Sequence, residues 1–291
     1  MNSLYKKLSI ECNESDYNYN SEELYDEQRE CLKMLLTALG SILLIYTIAN
    51  NVLDLKNSEK ATIKVSLYQI LKKSFKKQSE NEINILNKIL KNNISNNYYK
   101  KSYILSLGAS INVKKLDDKI IKKIIDEVVE GKNWSDRIWN NKSNLEKILR
   151  RDIKNILDGK VNVNEIERLI QKRFNTNAYV TKRLVENEIA RCQNEINDYF
   201  ANTYGLEYQL FTATLDNKTT DKCRGLDGKI FEVNDPDKPR IPQDTHILCR
   251  SCYINLPSRE WKPKTRMDNK TKNNDGIWKD YSKWYQENVG D

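Results

Sequence analysis

Apolar residues recur at helical spacing through the first 205 residues of the chain. In residues 61–92, Leu67, Ile70, Leu71 and Phe75 fall on one side of a helix, with lysines between them. The same periodicity predicts helices over residues 22–55, 61–92, 116–130, 143–157, 163–174 and 181–204. Gly131 is predicted to cap the third of these helices, and Cys192 to lie on the buried face of the last.

The hydrophobic pattern changes after Gly205. Residues 208–214 (YQLFTAT) are β-branched and aromatic, and residues 229–233 (KIFEV) follow the turn signal Asp227-Gly228. We therefore predict an α+β fold, with a predominantly helical body and a small C-terminal β-hairpin subdomain. Four segments follow: an N-terminal helical region (1–130), a second helical part (131–205), the small β subdomain (206–257), and a polar, aromatic-tipped tail (258–291). We expect this tail to be disordered, or to lie on a partner or a neighbouring domain, because it has too few apolar residues to bury itself.

One run, residues 34–49 (MLLTALGSILLIYTIA), carries no charge. A membrane-spanning helix needs about 20 apolar residues, and this run is shorter and is interrupted by threonine, glycine and serine. We expect a buried core helix, with a subunit interface as the alternative, and no membrane partner. The polar, acid-rich residues 1–20 predict no secretory signal, and the scattered cysteines predict a reducing cytosolic compartment rather than a disulfide framework.

Positive charge is concentrated in one helical segment. The chain has 49 Lys and Arg against 41 Asp and Glu, and residues 56–101 alone hold 11 basic and 3 acidic groups. Such a segment can neutralise the phosphates of double-stranded DNA without reading its sequence, and the candidate contacts are Lys72, Lys73, Lys76 and Lys77. A solvated helix face rich in lysine is the alternative interpretation.

The single histidine and three of the six cysteines lie close together in the sequence. Cys223, His246, Cys249 and Cys252 have the spacing C-x22-H-x2-C-x2-C, and thiolate and imidazole are the ligands that zinc prefers. These four residues are candidate ligands of a structural zinc ion that holds the β subdomain together. The alternative is a hydrogen-bonded histidine among buried thiols. No HExxH helix or zinc-deaminase pattern is present, which disfavours catalytic zinc.

Four segments resemble the phage minor head protein family, the Mu F-like head morphogenesis proteins. They are residues 131–139 (GKNWSDRIW), the helix 183–191 (RLVENEIAR), the pair 213–216 (ATLD) and 223–231 (CRGLDGKIF), and residues 246–251 (HILCRS). The tail around residues 265–289 follows the family pattern more loosely. The chain departs from that pattern at Thr220, Glu186 and Asn187, and in the residues just before His246. The motif positions with an expected structural role are Trp134, Arg137, Trp139, Glu188, Asp227, Gly228 and Arg250.

The resemblance implies a virion component rather than a catalyst. Proteins of this family are made with the procapsid, lie inside the head in few copies, contact the portal protein, and in some cases bind DNA without sequence preference. Portal, capsid or scaffold proteins and double-stranded DNA are therefore the expected partners. The expected location is the inside of the head, after assembly in the host cytoplasm.

An enzyme is the alternative from another functional class. In that case Cys223, or a metal-bound water near His246, would act on nucleic acid or protein, with Asp227 or Glu188 as the base. The single histidine argues against this alternative, because metal ligation would leave no second imidazole for acid–base chemistry. We therefore predict no catalytic residues.

Overall fold

The computed structural model describes residues 2–19, 22–260 and 281–290, and these divide into two compact units. Unit 1 consists of Met1–Tyr19, Lys88–Glu127 and Glu186–Asp291, and unit 2 of Asn20–Asn87 and Val128–Val185. The helices are α1 (Asn2–Ser15), α2 (Glu22–Ile45), α3 (Asn57–Ser106), α4 (Asp118–Ile125), α5 (Trp134–Leu157), α6 (Ile166–Tyr204), α7 (Asp221–Leu226) and α8 (Tyr281–Asn288). The strands are β1 (Ile48–Ala49), β2 (Val52–Leu53), β3 (Tyr208–Thr212), β4 (Ile230–Glu232) and β5 (Cys252–Leu256).

The predicted fold class is confirmed, because the described chain is mostly helical and carries a small antiparallel sheet near its C-terminus. The predicted segment boundary at 130 lies near the change of unit after Glu127, whereas those at 205 and 257 lie inside unit 1. Both α3 and α6 contribute residues to each unit. The two units are thus built from alternating stretches of the chain.

Unit 2 buries the apolar stripes that the periodicity identified. Its core contains side chains of α2, α3, α5 and α6, and the rings of Phe75 and Phe174 stack at 6.5 Å between centroids. The uncharged run is only partly buried: Leu35, Leu39 and Ile42 lie in the core. Leu36, Leu43 and Tyr46 are partly buried against the same core. The exposed large apolar residues of the run are Met34, Leu44, Ile45 and Ile48. None of the described helices is long and apolar enough to span a membrane.

Several predicted helix ends were wrong. Helix α2 stops at Ile45, because Asn50 and Asn51 take positive φ angles of 50° and 62° and turn the chain into the β1–β2 hairpin. Helix α4 ends at Ile125 with Asp126 as its C-cap, so Gly131 is not the cap. The stretches 163–174 and 181–204 largely fall in one helix, α6, with residues 163–165 forming a short 3-10 turn before it.

The sheet of unit 1 has the order β4-β3-β5, with both pairings antiparallel. The predicted hairpin corresponds to β3 and β4, and the pattern missed β5, which pairs along the other edge of β3. Phe211 and Tyr253 meet edge-on beneath the sheet, at 5.3 Å between ring centroids. The sheet therefore has a small aromatic core of its own.

The last described helix, α8, belongs to unit 1 and packs on its part of α3. Tyr285 contacts Tyr99, while Tyr281 and Trp284 contact Tyr103, with ring centroids 5.3 to 5.5 Å apart. Residues 261–280, which hold part of the family-like tail including Trp278 and Asp280, lie outside the described residues.

A buried carboxylate directly after α1, that of Asp16, contacts two other helices of unit 1. The Oδ2 atom of Asp16 accepts hydrogen bonds from Asn97 Nδ2 and Gln193 Nε2, each at 2.8 Å. Burial raises the pKa of Asp16 to about 6, although these hydrogen bonds and the nearby Lys101 act in the opposite direction. The folded protein therefore holds a proton on Asp16 more strongly than the unfolded chain does.

This pKa predicts how unit 1 responds to pH. The pKa of Asp16 is higher in the folded state than its ordinary value of 3.8. Protonated Asp16 therefore stabilises the fold fully below pH 4, and this stabilisation is lost as pH rises through about 6. Asp16→Asn keeps an oxygen acceptor without a charge, and we expect it to raise the free energy of unfolding at pH 7 by up to about 3 kcal/mol. Chemical denaturation at pH 4 and pH 7 measures the effect, with the exposed Glu207→Gln as control. Equal gains at both pH values would contradict the prediction.

Candidate metal centre

Cys223 is positioned by the short helix α7. Thr220 is the N-cap of this helix, and its Oγ1 accepts the backbone N–H of Cys223 at 3.4 Å. Asp227, at the other end of α7, accepts the N–H of Ala213 at 2.9 Å, and Gly228 takes a φ of +81° on the way into β4. Thr220 therefore caps the helix that carries Cys223.

His246 and Cys249 lie on one tight turn before β5. Leu248, between them, has a φ of +60°, a conformation that is costly for any residue with a Cβ atom. Its backbone N–H donates to Asn187 Oδ1 on α6 at 2.8 Å. Asn187 thus holds the turn from the side of the helix, a role that the sequence pattern did not indicate.

These elements bring three ligand-type side chains together. The ligand atoms of Cys223, His246 and Cys249 all lie within 4.8 Å of one another. The two sulfur atoms are 3.6 Å apart, and two thiolates bound to one zinc ion at about 2.3 Å in a tetrahedron would be about 3.8 Å apart. A disulfide needs about 2.05 Å between its sulfur atoms. The group can therefore hold a metal ion with little movement of the sulfur atoms.

The ring of His246 has a backbone partner that can fix its tautomer. Its Nδ1 lies 3.0 Å from the carbonyl oxygen of Ile247. In the tautomer with a proton on Nδ1, that atom donates to the carbonyl and Nε2 keeps its lone pair for a metal ion. His246 is partly exposed, whereas both cysteines are buried. A metal ion would thus have its soft ligands inside and its imidazole towards solvent.

Burial raises the pKa of the Cys249 thiol, while hydrogen bonds from Ser251 and Thr245 lower it. Thiols ligate metal ions as thiolates, so binding would release protons from this pair. The same two hydroxyl side chains are close enough to stabilise a charged sulfur.

Cys252 is not part of this group in the described structure. It is the first residue of β5, opposite Thr212, and its thiol is hydrogen-bonded with Asn13 of α1. The x2 spacing from Cys249 suggested a fourth ligand, but the strand begins at Cys252 and directs its thiol to α1 instead. The described ligand set therefore has three members, not the predicted four.

An ion pair fixes the loop beside the centre. Arg250 Nη2 contacts Asp216 Oδ1 at 2.7 Å, and Thr214 Oγ1 donates to the carbonyl oxygen of Arg250. The hydrogen bond from Arg250, together with the backbone N–H of Lys218, holds the pKa of Asp216 well below its usual range. Arg250 thus ties the ligand turn to the segment that follows β3.

Glu188 has a structural partner that the sequence analysis missed. Its carboxylate accepts from Arg191 Nε at 2.8 Å, and both side chains are buried. Arg191 also donates to the carbonyl oxygens of Ile124 and Ile125 at the end of α4, and to Glu127. The Glu-x-x-Arg spacing in α6 therefore holds the unpaired carbonyls of a neighbouring helix end.

The segment around the two tryptophans forms a turn and a helix start in unit 2. Asn133 and Asp136 make a capping box for α5, and Arg137 Nη2 donates to the carbonyl oxygen of Val129 at 2.6 Å. Trp134 is buried, whereas Trp139 is 42% exposed. A local structural role thus fits Trp134 and Arg137 but does not account for Trp139.

The four candidate DNA-binding lysines are all exposed on α3. Lys77 contacts Glu27 at 2.8 Å and Glu30 at 3.4 Å, and Lys76 lies 3.9 Å from Glu80. Among the described residues, no carboxylate lies within ion-pair distance of Lys72 or Lys73. Of the four lysines, Lys72 and Lys73 are thus the least neutralised by nearby carboxylates and the most available to a polyanion.

The Asn187 contact leads to a testable expectation for metal affinity. Asn187→Ala leaves the N–H of Leu248 without its partner and frees the strained turn that carries two ligands. We expect affinity for Zn²⁺ to fall about tenfold, since outer-shell partners typically contribute at least that much. Competition against a chromophoric chelator measures the affinity, with Asn175→Ala on the exposed face of α6 as control. Equal affinities for Asn187→Ala and the control would show that the turn holds its shape without Asn187.

No protein-family model matches the chain, and no curated protein or solved structure matches it either.

Proposed function

We propose that the chain is a minor head protein of a phage or prophage. It lies inside the head, contacts the portal and capsid or scaffold proteins, and binds double-stranded DNA without sequence preference during assembly, packaging or ejection. The observation that carries this proposal is the order of the four family-like segments between residues 131 and 251. Each segment also makes defined local contacts within its own unit.

The metal in this proposal is zinc with a structural role. Cys223 and Cys249 supply soft thiolates at close to the separation that zinc requires, and His246 supplies an imidazole. The three ligands come from α7 and the turn before β5, two parts of the chain that are distant in sequence. A bound ion would therefore join them and stabilise a sheet whose own apolar core is small.

DNA binding in this proposal uses the exposed lysines of α3. Lys72 and Lys73 are its main contacts, and Lys76 and Lys77 contribute less because glutamates lie near them. Contacts of this kind release counterions from DNA, so the affinity is expected to fall steeply with salt and to vary little with sequence.

One observation favours an enzyme as the second candidate. A set of three protein ligands resembles catalytic zinc sites, in which water or substrate takes the fourth position. The nearby carboxylates are engaged elsewhere, since Asp227 accepts the N–H of Ala213 and Asp216 pairs with Arg250. The structural role is therefore the better supported proposal. Zinc-dependent hydrolysis of nucleic acid or peptide, lost in His246→Ala while the fold is retained, would favour the enzyme.

Purified particles provide the test of the head-protein proposal. Phage particles from a culture of the source should contain peptides of this chain in few copies relative to the major capsid protein. External protease should leave the chain intact until the heads are opened, because it lies inside. A chain that is absent from DNA-filled heads, or digested on intact heads, would overturn the proposal.

A further inference from the structure

One face of α6 within unit 2 is basic and polar, and the proposed function does not use it. Arg168, Lys172, Asn175 and Thr176 are exposed on this face, and they line a shallow groove together with Gln171 and Tyr179. All six residues come from α6, and no carboxylate is among them. We call this set the α6 groove.

The charge of the α6 groove is largely uncompensated. The residues that line it include two cations, Arg168 and Lys172, and no carboxylate. Arg173 is paired with Asp152 at 2.7 Å, but the described residues place no carboxylate within ion-pair distance of Arg168 or Lys172. The nearest acidic residue along the helix is Glu167, whose carboxylate accepts from Gln171. A polyanion would therefore meet free cations here.

An aromatic ring lies in line with these cations. Tyr179 is 57% exposed, and it follows Lys172 by two helical turns, or about 10 Å along the axis. Arg168 and Lys172 are one turn apart, or about 6 Å, which lets their long side chains contact successive phosphates. Cations that follow a backbone beside a ring that can stack on a base are the basis of single-strand binding.

We propose that the α6 groove binds single-stranded nucleic acid, with Arg168 and Lys172 on phosphates and the ring of Tyr179 stacked on an unpaired base. The proposal deepens the proposed function, on which its biological meaning rests, by adding a surface and a strand form to the expected DNA contact. An acidic protein fits less well, because protein interfaces have an apolar centre, and Tyr179 is the only large apolar or aromatic residue exposed on this face of α6 among those described.

Fluorescence anisotropy with labelled oligodeoxythymidine, the matching duplex and a polyglutamate competitor tests the proposal on the full chain. We expect the single strand to bind more tightly than the duplex and polyglutamate to compete poorly. Tyr179→Ala should weaken single-strand binding about tenfold or more, and Tyr179→Phe should restore it, because stacking needs the ring and not the hydroxyl. Arg168→Gln with Lys172→Gln should lower the slope of log affinity against log salt by about 1.4, or about 0.7 per phosphate contact.

A charge-matched control separates this surface from general basicity. Lys119→Gln with Lys123→Gln removes the same charge from an exposed face of α4, outside both proposed nucleic-acid surfaces, and should leave binding nearly unchanged. Equal losses in the two double variants, an unchanged affinity in Tyr179→Ala, or equal competition by polyglutamate would overturn the proposal. Particle content is measured separately, so a chain found inside heads that fails these binding tests would refute the α6 groove alone. Binding that is confirmed for a chain absent from heads would refute only the head-protein role.

Discussion

Replacing Cys249 by serine is expected to abolish zinc binding and to destabilise the sheet of unit 1. The thiol is buried, lies 3.6 Å from the Cys223 sulfur and shares a turn with His246, so its loss removes one of three ligands. Metal that binds only the folded state stabilises it by about 4 kcal/mol when free metal exceeds its Kd a thousandfold. We expect a loss of about this size, concentrated in residues 206–257.

Elemental analysis and thermal unfolding, each with and without chelator, measure this effect. The wild-type chain should hold about one zinc ion and should unfold at a lower temperature after chelation, whereas Cys249→Ser should be insensitive to the chelator. Cys252→Ser is the matched control, because the structure places that thiol against Asn13 and outside the ligand group. It should keep its metal. Loss of metal from Cys252→Ser would restore the four-ligand prediction, and a wild-type chain without metal would remove zinc from the proposal.

Replacing Lys142 by methionine is expected to destabilise unit 2 by about 3–5 kcal/mol, the usual cost of leaving a buried charge without its partner. Lys142 is 1% exposed and contacts the carboxylate of Glu82, which is also buried, and it donates to Asn177 Oδ1 at 2.8 Å. Burial raises the pKa of Glu82, and the ammonium of Lys142 acts against that rise. Without Lys142 the carboxylate has no cation to offset its desolvation.

Urea denaturation of a series of variants tests this second expectation. Because the pKa of Glu82 in folded Lys142→Met should rise further above its unfolded value, the stability lost at pH 7 should be partly recovered as pH falls. Glu82→Gln in the Lys142→Met background should recover part of the loss at pH 7, since no charge remains buried. Lys147→Met, on the exposed side of α5, is the control and should change stability little. A Lys142→Met chain as stable as this control would show that the pair contributes nothing to the fold.

The helices and their buried faces could be predicted because apolar residues recur in the sequence at the spacing of a helical turn, and these are the residues that the fold buries. The predicted break within α6 was wrong for a reason that lies in the tertiary structure. Residues 175–180 (NTNAYV) are poor helix formers except for the alanine. The helix nevertheless continues through them, and Asn177 accepts from the buried Lys142. Local propensity cannot reveal such a partner, because Lys142 lies 35 positions away.

The Cys/His group shows the same difference between features set by nearby residues and features set by residues distant in sequence. Its three members could be predicted because the single histidine and three of the six cysteines fall in one 30-residue window. The role of Asn187 could not, because it depends on the left-handed backbone at Leu248 and on the approach of α6. Cys252 lies outside the described group, because β5 begins at that residue, and spacing alone does not reveal where a strand begins.

The interleaved construction of the two units determines the order in which they can form during synthesis. Unit 2 needs no residue beyond Val185, so all of its residues are synthesised before those of the sheet. Unit 1 combines Met1–Tyr19 with residues from Glu186 onward, and its first helix must therefore wait for the last third of the chain. Since nascent proteins fold from the N-terminal side as units become complete, unit 2 is expected to form first. The Cys/His group is then assembled late, when most of the chain has already left the ribosome.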